Sequence, residues 1–333
     1  MIGKKYRSGI HIGILSIALL FLFTSCEKQN LSVYTKLIKS STTADLFTIK
    51  KGSDNTIWIC GGTKNESTML RSDDGGNSFS KFGGGHYHTL FDFEIINDST
   101  IMGSAADLEF ITTNNFGMNW KVQIPADDQR PKTGFLSDLY SYVKTDDGTI
   151  YLAGGEKFYH GVIYKSVDGG KNFYLTYRDH EIRDIIFLDN NKGIASAYSA
   201  LYYTNNQGET WNQSNAENDF FTGLVARNNS VFCCSFEGGI YRSDDNGENW
   251  KCQNKSNKSF SKRYHYNRIV FAPDGISGIC AGTEGNVAIT YDGGNSWNEG
   301  TAFDNNDIND IIFLDNDIAL AVGNKGVIYR FTF

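Results

Sequence analysis

Apolar residues in this chain fall in short runs rather than on one face of long helices. "TIWIC" (Thr56–Cys60), "TIYLAG" (Thr149–Gly154), "SVFCCSF" (Ser230–Phe236) and "DIALAVG" (Asp317–Gly323) are typical. Each is short, rich in β-branched and aromatic residues, and bounded by Gly, Asn and Asp. That pattern predicts strands joined by tight turns. After residue 30 no stretch repeats its apolar residues at helical spacing, so an all-β chain is expected.

The polar segments between the runs repeat. "RSDDGGNSF" (Arg71–Phe79), "KSVDGGKNF" (Lys165–Phe173), "RSDDNGENW" (Arg242–Trp250) and "ITYDGGNSW" (Ile289–Trp297) share one spelling, with looser copies ending at Trp120 and Trp211. The common form is Ser/Thr-x-Asp/Asn-x-Gly-x-(Ser/Thr/Asn)-aromatic. Its Asp/Asn and Gly positions are Asp74 and Gly76, Asn115 and Gly117, Asp168 and Gly170, Asn206 and Gly208, Asp245 and Gly247, and Asp292 and Gly294. Successive glycines lie 41, 53, 38, 39 and 47 residues apart. A unit of about 40–50 residues used many times is a building block, and marks a propeller or solenoid.

Seven similar units can be parsed, with first strands beginning near Asp45, Leu90, Leu139, Ile182, Phe221, Tyr266 and Ile308. Two further apolar strands follow in each, and the motif aromatic opens a fourth. Four short strands repeated in this way predict a seven-bladed β-propeller. The last unit stops at "GVIYRFTF", where its motif should begin, whereas "LSVYTKLIK" (Leu31–Lys39) precedes the first unit without a partner. Pairing the two would close the ring and remove an open edge.

The motif then reads as the turn between third and fourth strands. Its Ser/Thr and Asp/Asn side chains can accept backbone N–H groups, its Gly supplies a backbone angle that side chains disfavour, and its aromatic ring buries against the sheet. It resembles the Asp-box, or BNR repeat, of sialidases, other glycosidases and many non-enzymatic propellers. The resemblance implies scaffold carboxylates facing away from the usual site. A calcium loop is excluded, because the "DDNG" turn lacks a downstream bidentate Glu.

Composition fits a large β-rich core: 333 residues, 14% aromatic, 35 Gly and only 3 Pro. The net charge is −7, with no basic run after the first residues, and nucleic acid is not an expected partner. The N-terminus differs. Lys4, Lys5 and Arg7 precede a mostly apolar stretch from Ile10 to Phe23, too short to span a membrane comfortably, and "LFTSC" follows. This resembles the lipobox of bacterial lipoproteins, which are cut before a cysteine that then carries lipid. The resemblance implies a signal peptide over 1–25, lipidated Cys26 with a tether over 26–30, and the propeller over 31–333. It places an exported protein, anchored by lipid in the bacterial cell envelope, on the periplasmic face or the cell surface.

The remaining cysteines are Cys60, Cys233, Cys234, Cys252 and Cys280. Cys60, Cys234 and Cys280 fall at matching second-strand positions and read as buried free thiols, although export would permit disulfides.

Candidate function lies on the face opposite the motif turns. The loops there hold His86, His88, His160, His180 and His265, accompanied by several tyrosines, as recognition surfaces are. "HYH" could put two rings on one side of a strand, but two ligands do not close a metal site and the spacing names no third, so no metal and no cofactor are expected. Aligned first strands give a second set at the channel mouth: Thr48, Asp92, Ser141, Asp184, Gly223, Arg268 and Asp310. These read as channel lining or ties between blades, with a ligand-binding role for Asp92, Asp184, Arg268 and Asp310 as the alternative.

Sialidases resemble this repeat class but carry an Arg-Ile-Pro-like element and three converging arginines. None of Pro125, Pro131 and Pro273 follows Arg-Ile. Arg71 and Arg242 adjoin the motifs, and Arg183, Arg263 and Arg268 do not make a complete set with a Tyr–Glu pair. Xyloglucan-cleaving enzymes are similar but use two tandem propellers. The "GxxGxIYxSxDGGxxW"-like units (YVTN/BNR-like) are closest in type to single-propeller proteins related to photosystem II stability and assembly factors, without implying photosynthesis. The expectation is therefore a monomeric, non-catalytic protein-binding or assembly module acting on an envelope protein or complex. The alternative is a glycan-binding lipoprotein or a glycoside hydrolase. If Cys26 carries the anchor, Cys26→Ser moves the protein from the membrane fraction to a soluble or slowly processed form, read by fractionation and blotting; unchanged fractionation removes the anchor.

Overall fold

The computed structural model describes residues 33–333 apart from 54, 84, 98, 131–136 and 256–263. Cys26, the signal segment and the tether lie outside the described residues. Among the described residues no helix is long and apolar enough to cross a membrane. The protein is an all-β propeller whose strands pair antiparallel, within each sheet in sequence order except where the first described strand joins the last.

The expectation of seven separate four-stranded blades is corrected. The described strands form six sheets, five of four strands and one of six. The difference lies in the strand Asn212–Arg227, 16 residues long. Its first part pairs with Gly193–Thr204, and its second part with Ser230–Ser235. What the sequence suggested as the fourth and fifth units is thus one continuous sheet. A continuous strand can still bend. Asn218 takes a left-handed φ of 63° at the crossing, a conformation Asn tolerates better than most residues. The sheet folds over itself there, so that Ile194, Leu201 and Ala216 pack against Leu224, Val231 and Cys233.

The core lies between sheet faces. Each second strand is covered on both sides by neighbouring sheets, so Ile57–Thr63 and Ile150–Gly155 are buried almost throughout. This is why they read as continuous apolar runs instead of alternating ones. The buried cysteines Cys60, Cys233, Cys234 and Cys280 belong to these layers as free thiols, and Cys252 is exposed on the outer strand Lys251–Asn254. Desolvation pushes the Cys60 and Cys280 thiols up, so they behave as small apolar groups.

The N-terminal strand Tyr34–Ile38 pairs antiparallel with Ile328–Thr332, completing the last sheet as its outer strand. The two ends of the chain are thereby joined in one sheet, and Ile38 and Ile328 share a core with Leu46 and Ile59 of the next.

The six motif segments form turns with one hydrogen-bond plan. In Arg71–Phe79 the Ser72 hydroxyl donates to Asp74 (2.7 Å) and accepts the Gly76 amide (2.8 Å), while Asp74 accepts the Ser78 amide (3.0 Å). The same three bonds recur from Thr113, Ser166, Thr204, Ser243 and Thr290. Backbone and side-chain donors from Asn172 hold the Asp168 carboxyl down at about 2, and the Ser296 hydroxyl and amide do the same for Asp292. The glycine has two duties. Gly247 has φ +89°, and a Cβ there would lie 2.7 Å from Ile194 Cγ1 across the layer. The turn therefore also seats one layer against the next.

Trp250 closes its turn from within. It is 5% exposed, donates from Nε1 to the Gly247 carbonyl (2.9 Å), and accepts support from Asn215, whose Oδ1 takes the Trp250 amide proton. Trp250→Ala should lower unfolding free energy by about 3–5 kcal/mol, as loss of a buried aromatic does. Asp244, at the variable motif position, reaches only Ser230 and Arg242 and is largely exposed. Asp244→Ala should cost within about 1 kcal/mol. Denaturant melts of the two variants check the contrast, and equal small losses would contradict the turn assignment.

Candidate functional site

The first strands converge on a central channel, and each carries a β-bulge or register shift near its entrance: Leu46/Thr48, Leu90/Asp92, Leu139/Ser141, Ile182/Asp184, Phe221/Leu224, Tyr266/Arg268 and Ile308/Asp310. A bulge inserts one residue and re-aims its side chain. The result is two rings of residues around a cavity of about 330 Å3.

The lower ring is the set aligned from the sequence, and it ties neighbouring strands together. Asp92 accepts the Tyr142 amide (3.0 Å), Asp184 that of Leu224 (2.9 Å), and Asp310 that of Ile49 (2.9 Å). Ser141 donates to Asp184 (3.2 Å), and the Thr48 hydroxyl donates to the Phe91 carbonyl (2.7 Å). Gly223 has no side chain because none fits: a Cβ there would lie 2.9 Å from the Arg268 Cα. Arg268 spans the ring. Its Nη1 lies 2.8 Å from Asp184 and its Nε 2.9 Å from Asp310. Lys50 pairs with Asp92 at 2.7 Å. Burial pushes the Asp184 and Asp310 carboxyls up, and Arg268 pulls them back. The acids are thus consumed by backbone amides, Arg268 and Lys50.

The upper ring consists of the bulged residues, which the sequence reading did not select. Phe47, Phe91 and Tyr140 follow one another with ring centroids 5.0 and 5.1 Å apart. Arg183 comes next, its guanidinium 4.4 Å from the Tyr140 ring and 5.6 Å from Phe220. Burial pushes the Tyr140 phenol up to about 12. Phe220 continues the arc to Tyr198 (5.4 Å) and Phe236 (6.0 Å). Tyr198 meets Phe158 (4.9 Å) and Tyr159 (5.5 Å), both exposed. Phe158 sits at φ 68°, rare for a bulky side chain. The buried carboxylate of Glu181 holds it there by accepting the Phe158 amide (2.8 Å). On the far side Asn267 and Asn309 replace the aromatics, bonding to the carbonyls of Ile308 and Leu46. The signal for the arc was present one residue before each aligned position, in "DLFT", "LFDF" and "LYSY".

The histidines divide. His86 and His265 are each 8% exposed, which corrects their expected place in exposed loops. His265 stacks on Phe236 at 4.6 Å and bonds through Nδ1 to the Phe236 carbonyl. His86 lies 2.5 Å from Glu109, with His88 beside them. His160 is half-buried in a narrow loop whose backbone it closes against Glu156. His180 lies 3.3 Å from the Tyr202 hydroxyl and near Tyr159. His180 joins the aromatic arc at its exposed rim, and His265 joins it at Phe236 from within. Of the arginines weighed for catalysis, Arg183 and Arg268 line the cavity, and Arg263 lies outside the described residues.

Asp184→Ala should destabilise by about 3–5 kcal/mol, since it leaves the Leu224 amide without its buried acceptor and Arg268 with only one of its two carboxylates. Asp184→Asn keeps an amide acceptor and should cost less. Thermal and denaturant melts compare them; two neutral substitutions would remove the tie.

No protein-family model matches the sequence, and no match is found among curated proteins. Solved structures do match. YCF48 bound to D1 peptide superposes with TM-score 0.67 at 18% identity, covering 92% of this chain and 100% of that one. YCF48 from Cyanidioschyzon merolae gives 0.66 at 15% identity, with 90% and 98% covered. A streptogramin B lyase gives 0.67 at 13% identity, with 90% and 97% covered. Likeness at these identities is likeness of fold, and it places the chain among the β-propellers.

Proposed function

We propose that this chain is an exported, lipid-anchored propeller that binds a protein partner at the mouth of its channel without transforming it. The observation that carries the reading is the aromatic arc from Phe47 through Tyr140 and Arg183 to Phe220 and Tyr159. Tyr, Phe and Arg are enriched at protein interfaces, and Tyr and Arg are prominent among the residues that carry binding energy there. Arg183 is held in place by Glu181 (2.8 Å) and the Tyr140 ring, so little entropy remains to be lost on binding. A peptide-bound YCF48 among the similar structures is in keeping with this use of the fold.

The acids at the channel favour binding over hydrolysis. A glycosidase pair needs one carboxyl free to donate a proton and a second free to attack or to activate water. Asp184 and Asp310 are each occupied by backbone amides and by Arg268. The Asp-box assignment is supported by the shared hydrogen bonds of the six turns, and those carboxylates serve their own loops. The envelope location rests on the segment ending at Cys26 and its resemblance to a lipobox.

The test uses the full chain crosslinked in membranes of its host, with partners identified by mass spectrometry. Arg183→Ala with Tyr159→Ala removes two arc residues that lie outside the core. The expected result is a folded variant whose melt drops only modestly, since Glu181 loses its arginine but keeps the Phe158 amide, and a partner affinity lower by about 30-fold or more, the effect of losing a hot spot. Full affinity in the variant would displace the binding site. Release of reducing sugar from a glycan panel by the wild type would replace the reading with the hydrolase.

A further inference from the structure

The loop entering the second sheet carries His86 and His88, and the turn before the strand Phe110–Thr113 carries Asp107 and Glu109. The fold brings these four side chains together. His86 Nε2 lies 2.5 Å from Glu109 Oε2, and His88 Nδ1 lies 3.0 Å from Glu109 Oε1. One nitrogen from each histidine and one Glu109 oxygen fall within 4.8 Å of one another. From these positions we infer that His86, His88 and Glu109 form a binding site for a first-row divalent transition metal of the zinc class.

Four features support it. Two imidazoles and one carboxylate are a donor set that zinc accepts, with bonds of about 2.0–2.2 Å and a remaining position left for water or a ligand. Second, the contact of His88 Nδ1 with Glu109 is near but poorly aligned: Nδ1 is a buried atom without a hydrogen-bond partner among the described residues. A cation shared with Glu109 would satisfy the Nδ1 lone pair. Third, the other nitrogen of His88, Nε2, lies 3.3 Å from Asp107. An outer carboxylate that accepts the second ring N–H fixes the tautomer in which Nδ1 is free to ligate. Fourth, the site is built: the His86 and Glu109 side chains are 8% and 9% exposed, and the His86 amide donates to Ser67 Oγ (2.8 Å). His88 is 32% exposed and opens the site to solvent beside exposed Tyr87. The competing arrangement is a metal-free network, in which His88 would carry protons on both nitrogens between Asp107 and Glu109.

The test uses tag-free full chain, stripped with EDTA and dialysed, and titrated with Zn2+ by calorimetry and with Co2+ by visible absorption. The expected result is one equivalent of Zn2+ bound at micromolar concentration or tighter, with Co2+ bands of a nitrogen- and oxygen-ligated ion. His88→Ala should abolish the site, and Asp107→Asn should weaken it by about 10–100-fold, the range for an outer-shell partner. His180→Asn, a loop histidine outside the cluster, should bind as wild type does. The melting temperature in EDTA should be the same for wild type and His88→Ala, which separates loss of a ligand from loss of the fold. Absence of Zn2+ binding by the wild type, or binding that His88→Ala leaves intact, overturns the inference in favour of the metal-free network.

Discussion

Where the inner strands of neighbouring sheets meet at the channel, their amides have no sheet partner, and the ring depends on how those amides are satisfied. A buried N–H without an acceptor costs about as much as a lost hydrogen bond. Asp92, Asp184 and Asp310 meet that need by reaching sideways to Tyr142, Leu224 and Ile49 of adjacent strands. Thr48 and Asn309 do the converse, donating to carbonyls across the gap. Arg268 then balances two of the acids at once. The charged centre of the molecule is therefore a framework, and its charge pattern follows from backbone accounting before any ligand is considered.

The two ends of the sheets obey different rules. At the motif end every turn must solve the same problem, a tight reversal seated against the next layer. The same serine or threonine, aspartate or asparagine, and glycine therefore recur. At the channel mouth each bulge extrudes one residue whose identity the backbone does not dictate. That freedom allows Phe47, Phe91 and Tyr140 on one side and Asn267 and Asn309 on the other. The asymmetry is what sets the channel mouth apart from the repeated turns.

This division explains what could be read from the sequence. The turns, the four-strand rhythm and the pairing of Tyr34–Ile38 with Ile328–Thr332 were legible because each is written in local spacing or in a missing partner. The sheet count was not. Whether two successive units separate or share a strand depends on one crossing, where Asn218 bends Asn212–Arg227 and the register shifts but the strand continues. Residues near that crossing, "NQSNAENDFFTG", look like any polar connection followed by a strand. The lower channel ring was legible by alignment of first strands. The aromatic arc was missed by one residue, because a bulge moves the exposed position off the regular alternation.

Histidines show the same limit from the other side. Their loops could be placed from the sequence, but burial could not, since His265 packs on Phe236 and His86 on Glu109 through contacts 29 and 23 residues apart. Glu109 follows a turn whose Leu108 is left-handed at φ 62° and fully buried. Burying Leu108 aims the next side chain back towards the histidine loop. A packing requirement at the turn before Phe110–Thr113 thus brings a carboxylate to a pair of histidines on the approach to the same sheet. Such a junction repeats around the ring in its backbone but not in its chemistry, and it is there, and at the bulges, that a scaffold built from one repeated unit gains a site that occurs once.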